Sequence, residues 1–431
     1  MSVGHVKLSE LIPVARRSPI EAMGLLPDGA DVSTVGRGLP FVVAQSYSSA
    51  HRVLVEDESS YRKPWVIRQV IVDGLGQNLF TTEGDRWLAR RKPVAPVFGL
   101  SNLDALASLM LATVEEVSAS WQPGEIDIQQ AMTDLTIRVA LRGLLGVDEQ
   151  TEELATEVRR TFEEILEWIT YRFNSPMSPP LIAPTPRNRR HKQSKAELHD
   201  AIRALIAHRR SNDTESFDIL GQLLAAQNEN TELTDQAIVE ECAGFMFAGH
   251  ETTASTLTWA LYELSLRPDL QTAIAEEGRR LEGPTDLVEA LKDMSDTEAV
   301  MAETLRMYPS GISIVRSAKR TTELAGRKIR RGTMVMIPVY SIQRSAETWE
   351  NPNEFEPHRD LEPEAGGYLP FGLGPRRCLG ARFASTELQI AISRICATWE
   401  LSYEADTPPR QVVAPSLRAE GKLPLAINER T

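Results

Sequence analysis

Cysteine is scarce in this sequence of 431 residues. Only Cys242, Cys378 and Cys396 are present, and they lie far apart along the chain. An odd and scattered set provides no disulfide framework, so the sequence is typical of a protein from a reducing compartment.

Long apolar runs are also absent. The charged residues Lys7, Glu10, Arg16 and Arg17 interrupt the N-terminal stretch in which a signal peptide would need an apolar segment. The most apolar internal stretch, residues 242–249, is far shorter than the roughly 20 residues that span a bilayer. We therefore expect a cytoplasmic protein without a membrane anchor.

Positive charge is in deficit. The 47 lysines and arginines face 60 aspartates and glutamates, so 47 − 60 gives a net charge of −13. Binding along a nucleic-acid backbone needs a basic surface, so no nucleic-acid partner is expected. The composition is otherwise that of a globular protein, and the length corresponds to about three average domains or one large one.

Helical periodicity dominates between about residues 100 and 308. Strand-like segments are few and short, at residues 39–44, 328–338, 401–403 and 423–427, with a turn at Arg331 and Gly332 leading into 333–337. The predicted fold class is mainly α with a small β region. Residues 174–192 contain five prolines; they form either a linker between two domains or a mobile lid, and their composition alone favours the linker.

The longest helix candidate begins after Thr234, a suitable N-cap, and continues to Pro268. Its middle is apolar on nearly all sides, which predicts a buried helix and places Glu251 and Thr252 inside the protein. Thr252 could simply bond a carbonyl one turn back. Alternatively, a buried acid beside a hydroxyl suits proton delivery, and Gly249 permits a close approach to the helix.

The sharpest local signal is a glycine-rich loop, residues 371–380, which ends in Cys378-Leu379-Gly380 and precedes a helical pattern. A position at a helix N-terminus beside Arg376 and Arg377 predicts a thiolate at Cys378. A zinc site would need companion ligands that the neighbouring sequence lacks. A nucleophile would need a His or Asn partner from elsewhere, whereas an axial ligand of haem iron needs one cysteine, close backbone and cations, all of which the loop offers.

At this point the chain resembles a known family, the cytochromes P450 of the soluble bacterial haem-thiolate type. The loop is similar to the haem-binding signature of that family throughout. Four other motifs of the family occur in its order, at residues 87–91, 248–252, 303–306 and 355–359. The resemblance extends from about residue 38 to residue 425. It implies the triangular, mainly helical prism of the family as a single domain over 1–431, with an N-terminal arm at about 1–37 and a lid at about 165–192.

The resemblance also implies a cofactor and a set of site residues. The cofactor is haem b (iron protoporphyrin IX), dioxygen is the co-substrate, and Cys378 is the iron ligand. Proton delivery is assigned to Thr252 and Glu251. The remaining cofactor-binding residues are Trp87, Arg91, Arg316, Arg376, Phe371 and Gly372. The first four of them are expected to bind the haem propionates. Structural ion pairs on the proximal side are assigned to Glu303, Arg306 and Arg359, and Cys242 and Cys396 are expected to be structural.

The resemblance gives electron delivery to separate proteins. About fifty residues follow Cys378, which leaves no room there for a flavin or ferredoxin domain, so we expect a ferredoxin and its reductase to pass electrons from NAD(P)H to a monomeric enzyme. Arg90, Lys92 and Arg377 form either a docking patch for an acidic ferredoxin or ordinary surface charge.

The regions that line the substrate pocket in the family are apolar here. They supply Trp168, Tyr171, Phe173, Phe245, Met246, Ile312, Ile314, Val315 and Leu417. A medium-sized, largely apolar molecule of secondary metabolism is the expected substrate. Three functions remain open: a monooxygenase that hydroxylates or epoxidises, an oxidase that cyclises, couples or desaturates without oxygen insertion, and a haem sensor without turnover.

Overall fold

The computed structural model describes residues 3–36, 40–175, 178–212, 218–227, 233–283, 286–361 and 366–430. Helices make up most of this part of the chain, which confirms the mainly α fold class. Their bounds are α1 Leu8–Arg17, α2 Pro19–Met23, α3 Tyr47–His51, α4 Trp65–Leu75, α5 Gly84–Val94, α6 Leu100–Ala119, α7 Ile128–Leu145, α8 Glu152–Asn174, α9 Pro186–Asn212, α10 Ile219–Gln227, α11 Asp235–Ser265, α12 Pro268–Arg279, α13 Leu287–Leu291, α14 Ser295–Met307, α15 Val339–Ile342 and α16 Ala381–Thr398.

The strands are short and form one larger sheet and three small ones. Their bounds are β1 Val3–Val6, β2 Val32–Val35, β3 Phe41–Ala44, β4 Tyr61–Arg62, β5 Gly124–Asp127, β6 Ile314–Ala318, β7 Thr322–Leu324, β8 Arg327–Ile329, β9 Met334–Ile337, β10 Trp399–Ser402, β11 Gln411–Val413, β12 Leu417–Ala419 and β13 Pro424–Glu429. The larger sheet has the order β1-β2-β3-β9-β6-β4, and the others are β10-β13-β5, β11-β12 and β7-β8. The segment predicted as an N-terminal arm therefore contains two strands of the larger sheet.

The predicted strand at 328–338 is wrong as a single element. It is divided into β8 and β9, which belong to different sheets. The predicted turn between them is confirmed, because Gly332 has a φ of +87°, a conformation that glycine adopts without steric cost. Alternation of side chains alone did not show that the chain changes sheets at this turn.

Helix α11 crosses the core, as the sequence predicts. The Thr234 side chain accepts a hydrogen bond from the backbone N–H of Ala237 at 3.2 Å and caps the first turn. One apolar core cluster contains residues of α7, α8, α9, α11 and α16 together. Since α8 and α9 share this core, the proline-rich stretch between them is not a linker between two domains, and the linker interpretation is wrong.

No single helix within the described ranges is long and apolar enough to cross a membrane. One bent pair, 84–98 with 102–119 at an angle of 68°, reaches the required length and composition together.

A buried ion-pair network fixes the segment after α14. Arg306 donates from Nε and Nη2 to the two carboxylate oxygens of Glu303 at 2.7 and 2.8 Å, and neither side chain is exposed to solvent. Arg359 adds a second cation, 3.4 Å from Glu303. Arg306 also donates to the Gln343 carbonyl at 2.8 Å, and the Gln343 side chain accepts from the backbone N–H of Leu369 at 2.9 Å. The network thereby reaches the chain that leads into the cysteine loop.

Replacing the carboxylate at the centre of this network is expected to destabilise the protein strongly. Glu303→Gln leaves two buried guanidinium groups without their counter-charge, which costs about 3–5 kcal/mol. Glu356→Gln is the matched control, because Glu356 contacts the same Arg359 at 2.8 Å but is 41% exposed, and such pairs contribute about 0–1 kcal/mol. Urea unfolding of both variants measures the difference, and equal midpoints would contradict this assignment.

Candidate active site

One face of α11 is open although the helix lies in the core. Between Glu241 and Ser265 the residues that are not buried are Phe245, Phe247, Ala248, Gly249 and Thr252. Four of them, at 245, 248, 249 and 252, share one side of the helix because they are spaced by three or four residues. Because α11 is, apart from Phe247, buried on its other sides and at both ends of this stripe, we infer that the stripe borders an internal space rather than the protein surface.

The cysteine loop reaches the same region. The ring of Phe98 lies 6.0 Å from the ring of Phe245 on α11 and 6.1 Å from that of Phe383 at the start of α16. A Cβ added to Gly380, two residues after Cys378, would lie 3.5 Å from the Phe98 ring. The open stripe of α11 and the cysteine loop therefore meet on either side of Phe98.

The loop is held by backbone hydrogen bonds and by glycines in unusual conformations. The Cys378 N–H donates to the Phe371 carbonyl at 2.9 Å, and the Gly372 N–H donates to the Leu369 carbonyl at 3.0 Å. Gly372 and Gly374 have φ values of +69° and +70°. A Cβ on Gly374 would also collide with the Leu54 carbonyl oxygen of a short π-helix, Arg52–Glu56. The close approach of the Leu54 backbone therefore explains why residue 374 is a glycine.

Cys378 is exposed, yet burial by the surrounding protein raises the pKa of its thiol. A side chain that lines an internal space can have accessible surface and still be surrounded by protein. A hydrogen bond from the Gly380 backbone and the charges of Arg377 and Arg91 act in the opposite direction and lower the pKa. Desolvation is the larger effect on the thiol, while the Gly380 N–H, one residue before α16 begins at Ala381, acts in the direction that the sequence predicts for a helix N-terminus.

Trp87 lies at the centre of a cluster of cations. The guanidinium carbon of Arg376 is 3.8 Å from the centroid of its ring, and that of Arg91 is 5.2 Å from it. Arg376 donates to Glu83 at 2.7 Å and to the Thr82 carbonyl at 3.2 Å. The structure thus brings together three of the side chains that the family resemblance assigns to the propionates.

Arg316 belongs to the same cluster, and Lys63 is a member that the sequence analysis missed. Burial lowers the pKa of Arg316, and the neighbouring Arg376 lowers it further. Burial, Arg376 and Arg316 together lower the pKa of Lys63 to about 7, while its ammonium group donates to the Phe80 carbonyl. No motif surrounds Lys63, so its role is visible only in three dimensions.

The residues of this region fit a haem. Four cations, Lys63, Arg91, Arg316 and Arg376, lie together here, and among the described residues the acids whose charges act on Lys63, Arg316 and Arg376 are Glu58 and Glu83. The excess of positive charge suits the two propionate carboxylates of a haem, since arginine binds carboxylates well. A buried thiolate at Cys378 in turn requires a nearby cation, which an iron ion supplies.

Thr252 and Glu251 face different surroundings. Thr252 is exposed on the open stripe, which corrects the expectation that it is buried, and its hydroxyl donates to the Ala248 carbonyl at 2.8 Å. Glu251 is buried as expected, and burial raises the pKa of its carboxyl group. Its Oε1 accepts from the Ser416 hydroxyl at 2.6 Å and lies 3.6 Å from Arg418. The sequence analysis missed both partners, because they lie about 165 residues away in a hairpin without a recognisable motif.

Three of the predicted pocket residues are core residues that are at most 2% exposed. Met246 and Leu417 are completely buried. Trp168 is also buried; its ring stacks on His191 at 3.9 Å and its Nε1 donates to Asn188 at 3.2 Å. Apolar character alone did not separate core residues from pocket residues. Of the others, Phe173 is exposed, Ile312 is buried, and Tyr171, Phe245, Ile314 and Val315 are partly exposed.

Of the three residues predicted to form a basic docking patch, one is not at the surface. Arg90 is buried and donates to Glu241 of α11 at 2.8 Å, so its assignment to a docking surface is wrong. Successive residues of a helix point about 100° apart, which turns Arg90 toward α11 while Arg91 faces Trp87. Lys92 and Arg377 are exposed. Cys242 and Cys396 are free and buried, in agreement with a structural role.

Comparison with known proteins places the chain in a family. The family model described as Cytochrome P450 matches residues 32–422, so the chain belongs to the cytochrome P450 family. Membership confirms the resemblance drawn from the motifs and the enzyme class that it implied, and it carries with it the use of haem and dioxygen.

Curated relatives cover most of the chain. It is 29% identical over 411 residues to the cyclooctat-9-en-7-ol 5-monooxygenase of Streptomyces melanosporofaciens, covering 89% of this chain and 85% of that protein. It is 28% identical over 423 residues to the pentalenene oxygenase of Streptomyces avermitilis, covering 96% and 94%. A putative cytochrome P450 132 of Mycobacterium tuberculosis is 31% identical over 342 residues, covering 73% and 72%.

Solved structures confirm the P450 fold. CYP175A1 from Thermus thermophilus superimposes with a TM-score of 0.78 at 23% identity, covering 99% of this chain and all of that one. The retinoic acid-bound cyanobacterial CYP120A1 gives a TM-score of 0.80 at 21% identity, covering 93% and 92%.

Gly374 is expected to be indispensable for the cysteine loop. Gly374→Ala adds a collision with Leu54 to the strain of a positive φ, whereas Gly421→Ala is a matched control with a φ of +76° and open space around its Cβ. Both variants carry the conformational cost of roughly 1–2 kcal/mol. We expect Gly374→Ala alone to lower the haem content and to melt at a clearly lower temperature. Equal haem content and melting temperature in the two variants would contradict the packing argument.

Proposed function

We propose that this P450 is a monooxygenase that inserts one oxygen atom of dioxygen into a C–H or C=C bond of a largely apolar terpenoid. The single observation that carries the proposal is the position of Cys378, exposed on a glycine-rich loop that meets the open stripe of α11 beside a cluster of cations. One face of the internal space offers a sulfur ligand, and the other offers a hydroxyl.

Cys378 is the proposed ligand of haem iron. When bound, a haem with a thiolate ligand supplies the reductive activation of dioxygen. The Gly380 N–H and the charges of Arg377 and Arg91 favour the thiolate form and moderate its basicity. Phe371 and Gly372 hold the loop that presents the sulfur, through the hydrogen bonds of their backbones.

Trp87, Arg91, Arg316 and Arg376 are the proposed propionate-binding residues. The side chain of Arg376 is 8% exposed, and its present carboxylate partners are Glu83 at 2.7 Å and Glu58 at 3.8 Å. The flat guanidinium group can bind two carboxylate oxygens at once, which fixes the orientation of a bound carboxylate as well as its charge. The stacking of Arg376 on Trp87 leaves its N–H groups directed along the plane of the guanidinium toward such partners.

Thr252 and Glu251 are the proposed proton-delivery pair. The Thr252 hydroxyl lies on the open stripe, and it can exchange its Ala248 acceptor for one in the internal space. Glu251 can hold a proton near neutral pH more readily than an ordinary glutamate because burial raises the pKa of its carboxyl group.

Separate proteins are the proposed source of electrons, most simply a ferredoxin and its reductase that draw on NAD(P)H. Lys92 and Arg377 are exposed near the cysteine loop, and their positive charge suits an acidic partner. We retain a monomeric, cytoplasmic enzyme of secondary metabolism as part of the proposal. The three free cysteines are consistent with a reducing compartment.

A terpenoid substrate is supported by the relatives and by the partly exposed apolar residues near the site. Cyclooctat-9-en-7-ol and pentalenene, named in the activities of two relatives, are polycyclic terpenoids with few polar groups. Oxidative cyclisation, coupling or desaturation without oxygen insertion is the alternative, because the same activated cofactor can carry it out. The proton-delivery pair serves both reactions, since cleavage of dioxygen consumes protons in either case, and it is the names of the two relatives, a monooxygenase and an oxygenase, that favour insertion.

Labelled dioxygen distinguishes insertion from the alternative. We expect pentalenene or a related terpenoid to shift the ferric haem from low to high spin and, with ferredoxin, reductase, NADPH and ¹⁸O₂, to give a product heavier by one ¹⁸O atom. Mass spectrometry of the product is the measurement. An oxidised product without ¹⁸O would favour cyclisation or desaturation, and a spin shift without any product would favour a sensor.

A further inference from the structure

The hairpin of β11 and β12 is attached to α11 within about two turns of the two residues proposed for proton delivery. The Leu417 carbonyl accepts from the Ser255 hydroxyl at 2.5 Å and from the Trp259 indole at 2.9 Å, and the Leu417 N–H donates to the Ser310 carbonyl at 3.1 Å. The Ser310 hydroxyl in turn donates to the Thr252 carbonyl at 2.8 Å. The hairpin is therefore in fixed register with α11.

The same hairpin binds the side chain of Glu251. Ser416 is buried, and its hydroxyl donates to Glu251 Oε1 at 2.6 Å. Arg418, two residues later in β12, lies 3.6 Å from the same oxygen. Within the described chain no hydrogen bond joins Glu251 to the Thr252 hydroxyl. The acid is thus directed to the hairpin, whereas the Thr252 hydroxyl lies on the open stripe and donates to the Ala248 carbonyl of its own helix.

The two partners differ in their access to solvent. The side chain of Arg418 is about one quarter exposed, at 27%, whereas those of Ser416 and Glu251 are buried. Glu251 consequently lies between a hairpin that contacts solvent and a helix face that opens inward. A carboxyl group in this position can take up a proton on the solvent side and release it on the other, provided that its side chain changes partner.

We propose that Ser416 and Arg418 are positioning residues for Glu251, and that they hold its carboxylate on the hairpin side until proton transfer toward Thr252 requires its release. The inference rests on the proposed function and deepens it. It assigns to the β11–β12 hairpin a role in the timing of proton delivery, which neither the motifs nor the family match attaches to these residues.

The charges around Glu251 make the proposal testable by titration. Arg418 is the charged group among the described residues whose field acts on Glu251, and it lowers the pKa of the carboxyl group, as does the Ser416 hydrogen bond. His250, the neighbour on α11, faces α7 through Thr136 at 2.9 Å, and burial lowers its pKa to about 3, so it is neutral near pH 7. Loss of Ser416 or Arg418 therefore raises the pKa of Glu251.

Infrared difference spectroscopy of the holoprotein measures this pKa directly. The protonated carboxyl band that disappears in Glu251→Gln identifies Glu251. We expect its titration to move to higher pH in Ser416→Ala and Arg418→Gln, and to stay near that of the unsubstituted protein in Ser416→Thr and Arg418→Lys, which retain the donor and the charge. Unchanged titration in Ser416→Ala and Arg418→Gln would overturn the proposal.

The pH profile of ferredoxin-supported oxygen consumption supplies the second readout. We expect Ser416→Ala to shift the profile in the direction of the raised pKa and to lower the rate roughly tenfold, part of the ~100-fold or more that positioned proton transfer contributes. In the Glu251→Gln background the same substitution should have no further effect, because the two residues act as one unit. Full additivity would overturn the positioning role. If the unsubstituted protein consumes no oxygen, the proposed function fails, while the infrared titration still decides whether Ser416 and Arg418 hold the carboxyl group of Glu251.

Discussion

An open face on a buried helix is the constraint on which the rest of the site depends. Protein interiors are packed to the density of organic crystals, and unfilled space costs stability. Helix α11 is nevertheless left uncovered at Phe245, Ala248, Gly249 and Thr252. The surroundings must be stiff to keep this space from collapsing. Leu54, against which Gly374 packs, and the Glu303–Arg306 pair, which reaches Leu369 through Gln343, hold the opposite loop in place.

Electrostatics defines what the space can accept. The cations around Trp87 are buried deeply enough that the pKa values of Arg316, Arg376 and Lys63 are all lowered, so the cluster favours additional negative charge. Burial opposes the thiolate of Cys378 and the carboxylate of Glu251 for the same physical reason. A haem has two carboxylates at its edge and a cation at its centre. It would therefore compensate both the crowding of cations around Trp87 and the cost of a thiolate at Cys378.

The fold class and the central helix could be predicted from the sequence because both depend on local patterns, whereas the site residues were assigned by resemblance to the family. Thr234 marks a helix start, the glycines around Cys378 mark a tight loop, and Trp87 and Arg91 share one helix face. Long-range pairing could not be predicted in this way. Arg90 and Arg91 are equivalent in sequence, yet only contact with Glu241 decides that Arg90 is buried. Lys63, Ser416 and Arg418 carry no motif, and their positions follow from tertiary contacts alone.

Ligation of iron by the Cys378 sulfur is the central claim, and the absorption spectrum of the reduced protein with carbon monoxide tests it most directly. Thiolate ligation predicts a Soret band shifted strongly to the red, and the band should be lost in Cys378→Ala but retained in Cys242→Ala and Cys396→Ala. A reduced carbon monoxide complex without the red-shifted band, or a Cys378→Ala variant that keeps it, would contradict the account.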